Sequence, residues 1–130
     1  MRRLLICSIL LALAPPAQAQ QPRLPIPIAA GDLGCSTAQI ANLTAAQGFV
    51  AIRSGPSARE RELARLRNDD AVFACVRHGN WFGIVFAPPG RPIECGVYQE
   101  WREPGLYRGP CRSGWVYHRY IKGYADWISP

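Results

Sequence analysis

The chain has 130 residues, 48% of them apolar, with 12 Gly, 12 Pro, 5 Cys and a formal charge of +6. That length fits one domain and excludes most multidomain enzymes. A charged fraction of only 18% argues for a folded globule, and the Gly and Pro content points away from a helical bundle.

Arg2 and Arg3 precede the apolar run Leu4 to Ala14, which ends in Pro15-Pro16 and Ala17-Gln18-Ala19. A basic start, a short apolar stretch and small residues at the cleavage point predict a secretory signal peptide over 1–19. The run is shorter than the ~20 residues that a membrane-spanning helix needs. Cys7 lies inside it and not at the cleavage point, so no lipid anchor is expected. Cleavage near Ala19 would deliver the chain to the periplasm or outside the cell. It would leave 13 basic against 9 acidic residues, a charge of +4, and four cysteines. Cys35, Cys75, Cys95 and Cys111 are then an even set, as a two-disulfide framework in an oxidising compartment requires. Three connectivities are possible, and spacing does not choose among them. Apart from Lys122 the mature basic residues are Arg, interleaved with acids as in Arg59-Glu60-Arg61-Glu62. Without a basic stripe, nucleic acid is not an expected partner.

Residues 20–34 hold three closely spaced prolines and read as an extended tail. A globular region follows over 35–125, with a short C-terminal tail at 126–130. Phe49 to Ile52 reads as a strand, with Val50 and Ile52 on one side, followed by the turn-rich Arg53-Ser54-Gly55-Pro56-Ser57. Residues 58–67 have local helix signals: the capping box Ser57-Ala58-Arg59-Glu60, then Leu63 and Leu66 at helical spacing. A helix so short is marginal alone, so its surroundings decide. Ala71 to Val76 alternates, with Val72, Ala74 and Val76 on one face and Phe73 and Cys75 on the other. His78-Gly79-Asn80 then leads into Trp81 to Phe86, a hairpin signal. Gly114 to Tyr117 and Tyr120-Ile121 close the series. Short strands between Gly and Pro turns predict an all-β barrel or sandwich.

Taken in order, Phe49 to Ser57, Leu66, Val72 to Val76, Gly79-Asn80-Trp81, and Gly114-Trp115-Val116 to Tyr120-Ile121 resemble a bacterial SH3-like (Src homology 3) domain over about 36–123. The resemblance implies a small barrel of five to six short strands with a disulfide-closed inserted loop. It implies a non-catalytic periplasmic or secreted module, of a kind that in some relatives helps bind peptidoglycan. It also turns 58–66 into an irregular loop feeding a strand at Ala64 to Leu66, with a helical turn allowed near 58–62. One departure is large: residues 87–113 stand where such domains have a short turn. Cys95 and Cys111 flank most of this insertion, and a bridge between them would close a loop of 16 residues, worth ~3 kcal/mol in the chain-entropy model. Cys35–Cys75 would then be the other pair. Local closure favours this pairing, and the alternatives stay open.

Cys75, His78, Cys111 and His118 lack zinc-finger spacing, so no metal or other cofactor is expected. No free thiol remains for a nucleophile, and no Gly-x-Ser-x-Gly is present, so no catalytic residue is assigned. Glu94, Glu100 and Glu103 read as a salt-bridged surface beside Arg91, Arg102 and Arg108. The candidate ligand-binding residues are aromatic: Tyr98, Trp101 and Tyr107 of the insertion, with Trp81 and Trp115 of the strands. Each has a packing alternative, as core or rim residues or as a small core beneath the insertion. The expected partner is a cell-wall polymer or another periplasmic protein. Alternatively, the insertion blocks an enzyme, as a secreted inhibitor or immunity-type protein would.

Overall fold

The computed structural model describes residues 27–28, 34–88, 90–91, 93–97 and 105–128. The expected signal peptide, most of the Pro-rich tail, Tyr98 and Trp101 lie outside the described residues. The strands in chain order are β1 (Pro27–Ile28), β2 (Ser36–Ile40), β3 (Val50–Arg53), β4 (Glu62–Leu66) and β5 (Ala71–His78). They continue with β6 (Trp81–Phe86), β7 (Gly105–Leu106), β8 (Arg112–Tyr117) and β9 (Ile121–Lys122). Short 3-10 turns occupy His118–Tyr120 and Asp126–Ile128. No helix among the described residues is long and apolar enough to cross a membrane.

Seven strands form one antiparallel sheet in the order β4-β3-β8-β6-β5-β2-β9, while β1 pairs with β7 in a separate ribbon. The fold is all-β, as the composition predicts, with more strands in the sheet than the five or six expected. Sequence reading missed the β1–β7 ribbon and, in the main sheet, β2. Its Ser-Thr-Ala-Gln-Ile has only two apolar positions, Ala38 and Ile40, and both are buried. Each inner-facing position joins one core: Ile52 from β3, Leu66 from β4, Val72 and Ala74 from β5, and Phe82, Ile84 and Phe86 from β6. Ile121 of β9 belongs to the same cluster, so strands from both ends of the sheet share a core and the sheet curls around it.

Two local readings are settled by tertiary pairing. The helix signals at 58–67 give way to a turn, in which the Glu60 N–H bonds the Ser57 carbonyl at 3.2 Å, and then to β4. Pairing of Leu66 with Val50 and Ala64 with Ile52 supplies the backbone bonds that a three-turn helix would have had to make alone. The β5–β6 connection is Gly79-Asn80, since His78 already pairs with Trp81. Gly79 takes φ +57°, the positive value that the first position of a type II′ turn requires.

The alternation expected along β5 fails at one point. A bulge falls between Ala74 and Val76, so Val76 pairs with Gly83 and turns to the same outer face as Cys75. One extra residue in a strand reverses every side chain that follows it. Arg77 consequently faces inward, with its guanidinium 5.1 Å from the Phe82 ring centroid. On the outer face, Val85, Trp115, Cys75 and Phe73 build a second core with Cys35, Cys95, Val97 and Tyr107. The sheet is therefore apolar on both faces around β5, β6 and β8. A cap from two distant parts of the chain, Cys35 before β2 and the described residues of the 87–113 insertion, covers the outer one.

At Gly114 the close passage of β8 over the inner core leaves no room for a side chain. A Cβ there would collide with Ile52 Cγ2 and stand 3.0 Å from the Arg53 carbonyl. Gly114→Ala is expected to cost about 2 kcal/mol through overpacking and to lower the melting temperature by roughly 10 °C. A melt matching the parent protein would contradict this packing.

Candidate functional site

The cap is held by covalent bonds and one tyrosine. Cys35 joins Cys75 across 40 positions and Cys95 joins Cys111 across 16, the two pairs that local closure favours. The Cys35 N–H also bonds the Val97 carbonyl at 3.1 Å, tying the entering segment to the insertion. Tyr107 is only 6% exposed. Its hydroxyl donates to the Cys95 carbonyl at 2.8 Å and accepts from the Cys111 N–H at 3.0 Å. Burial raises its phenol above the ordinary value of 10.0, and the bond from Cys111 opposes that rise.

These positions put two of the candidate residues in the second core. Tyr107 presents no ring to a ligand, because packing against Val97 and bracing the Cys95–Cys111 bridge occupy it. Trp115, at 7% exposure, lies beneath the same cap with its indole N–H unpartnered among the described residues and its ring 6.4 Å from His78. Both are core residues of the outer face. Tyr98 and Trp101 lie outside the described residues. Cys75 and Cys111 are committed to different disulfides, and no cluster of three potential metal ligands exists among the described residues.

Trp81 has a different place. It starts β6 beyond the edge of the cap, half-buried, and packs against the second core on one side. On the other it forms the wall of an open groove of about 390 Å³, within the size range of ligand sites. Tyr117 meets it edge-on at 5.5 Å, and Tyr120 follows at 6.5 Å from Tyr117. Phe49, 38% exposed, also lines the groove, with the Arg65 guanidinium 4.1 Å over its ring.

Short connections fix these rings. The turn after β8 is held by the His118 N–H on the Asn80 carbonyl at 2.8 Å and the Ala41 N–H on the Tyr120 carbonyl at 3.0 Å. Asn42 Nδ2 donates to the Arg119 carbonyl at 2.8 Å, an anchor that uses Asn42's positive φ of 61°. Gln47 Nε2 donates to the Tyr120 hydroxyl at 3.1 Å and thus ties the loop after β2 to the turn. The loop itself is braced by Asn68, whose side-chain amide makes both bonds to the Leu43 backbone at 3.0 Å. Among the described residues lining the groove there is no carboxylate, imidazole or thiol. What it offers is stacking surface, hydrogen bonding from Gln47 and the tyrosines, and one guanidinium, that of Arg53.

Of the three aromatic candidates among the described residues, Trp81 alone is in this groove. Phe49, Gln47, Arg53, Tyr117 and Tyr120 were missed as site residues. The available signal was the pair Tyr117 and Tyr120, polar-tipped aromatics that persist past the end of a buried strand.

Tyr107→Phe is expected to destabilise the protein by about 1–3 kcal/mol, since it strands the Cys95 carbonyl and the Cys111 N–H. Its raised folded value also fixes a pH signature. The contribution is complete below the unfolded tyrosine value of about 10 and is lost as pH rises toward the folded one, because the unfolded chain ionises first. Melts across that alkaline window should decline less in Tyr107→Phe than in the parent, and an identical decline would contradict the phenol's burial. No protein-family model matches the chain, and no curated protein or solved structure matches it either.

Proposed function

We propose that this chain is a non-catalytic binding module with an SH3-like barrel, acting in the periplasm or outside the cell, whose aromatic groove engages cell-wall polymer. The observation that carries the reading is the groove itself, where Trp81, Tyr117, Tyr120 and Phe49 keep ring surface open beside buried packing. Sequence-tolerant ring faces with few polar groups suit an extended polymer better than a small polar metabolite. Support for the SH3-like barrel comes from the order of parts. A Ser-Gly-Pro loop follows β3, a tight Gly79-Asn80 turn leads into Trp81, and a 3-10 turn separates β8 from β9. Two disulfides are compatible with an oxidising compartment. The inhibitor reading relied on aromatics projecting from the insertion, and the one among the described residues, Tyr107, points inward.

The purified chain should co-sediment with isolated peptidoglycan at low salt. Trp81→Ala and Phe49→Ala should each weaken retention, with Trp81→Ala the stronger at roughly thirtyfold, the scale of an interface hot spot. Phe49→Ala alters an exposed ring and leaves both cores whole, so it separates binding from folding. Absence of retention by the parent chain would sink the wall-binding reading.

A further inference from the structure

Arg53 gives the groove a charge preference. It is the only charged side chain among the described residues lining the groove. One of its nitrogens, Nη1, donates to the Glu60 carbonyl at 3.0 Å, which anchors the guanidinium and leaves its other donors available. Among the described residues no carboxylate pairs with it. The single ion pair among the described residues joins Arg65 to Glu62 at 2.6 Å, and the Glu60 carboxylate accepts from Ser54 Oγ at 3.2 Å. A register shift between Ile52 and Arg53 sets this side chain, at the kind of irregularity that re-aims a residue toward a site.

We propose that the groove's ligand presents a carboxylate to Arg53, so that within the wall the groove binds the stem peptide and not the glycan strand. This rests on the groove being the binding surface. A guanidinium is built for paired bonds to a carboxylate, and beside an apolar wall such a bond is stronger than in open water. The wall's carboxylates are carried by its peptides, whereas its amino sugars are uncharged once the lactyl group is amide-linked. One cation suits one carboxylate. A polyanion such as nucleic acid would need a row of them. The ligand's apolar side chain next to that carboxylate would lie on Trp81 and Tyr117, and its backbone would meet Gln47.

The test uses the whole chain and two soluble probes: stem peptides released from purified peptidoglycan, and the same peptides with their carboxyls converted to amides. Binding is read by tryptophan fluorescence or calorimetry. The free-acid peptides should bind roughly tenfold to hundredfold more tightly than the amides, the range for losing a hydrogen bond to a charged group. Arg53→Gln should bring the free acid down to the level of the amide. Equal binding of both probes to the parent chain overturns the proposal without needing any variant. So does retention on whole wall with no binding of either peptide, in which case the groove reading survives and the carboxylate does not. If neither whole wall nor peptides bind, both fall.

Discussion

The extra residue in β5 enlarges the second apolar face of this sheet. Without the bulge after Ala74, Val76 would face the inner core, and Phe73 and Cys75 would be the outward apolar residues of β5. With it, Cys75 and Val76 are presented together, next to Val85 and Trp115, and the apolar surface that has to be covered is larger. The cap answers that need. Its described part contributes little regular structure beyond β7, so it depends on covalent closure, and both disulfides lie in the surface they close. For cross-links spanning 40 and 16 positions, the chain-entropy model assigns about 4 and 3 kcal/mol. Those amounts rival the whole net stability of a small domain, about 5–15 kcal/mol.

The groove depends on the same arrangement at one remove. Trp81 touches the capped core with one side and lines the open concavity with the other, so ligand-facing and structural roles meet in a single ring. The other wall residues come from a 3-10 turn and from a loop, neither of which has packing depth of its own. Hydrogen bonds substitute for it. Asn68 behaves like a short piece of strand toward Leu43, and Asn42 and Gln47 fasten the loop to the turn that carries Tyr120.

Much of the inner core was legible in the sequence because alternation is strict where one face is buried. Phe82, Ile84 and Phe86 are all buried as their spacing indicates, and Val50 and Ile52 likewise. The hairpin at Gly79-Asn80 was legible through turn chemistry. The bulge was not, since Ala-Cys-Val has the same pattern with or without it, and only the partner strand reveals the lost register. β2 escaped because two small alternations carry little weight in composition, while the β4 segment carried a local helix signal that pairing overrode. The groove was the least legible part. It joins Phe49, Arg53, Trp81, Tyr117 and Tyr120 from separate stretches, and spacing along the chain says nothing about which rings stay uncovered.

The cap's mixed origin also makes the outer face costlier to cover than the inner one. The β5–β6 hairpin closes through two residues, and the inner core gathers around neighbouring strands. Covering the outer face requires a segment 40 positions before Cys75 and an insertion that starts only after β6 is complete. Loop closure is cheapest when local, so the cover carries a larger closure cost than the hairpin beneath it. Wherever that cover is missing, Trp115 and Val85 would form an apolar patch open to water. The two disulfides thus guard the protein's solubility as well as its stability, because they keep that patch closed.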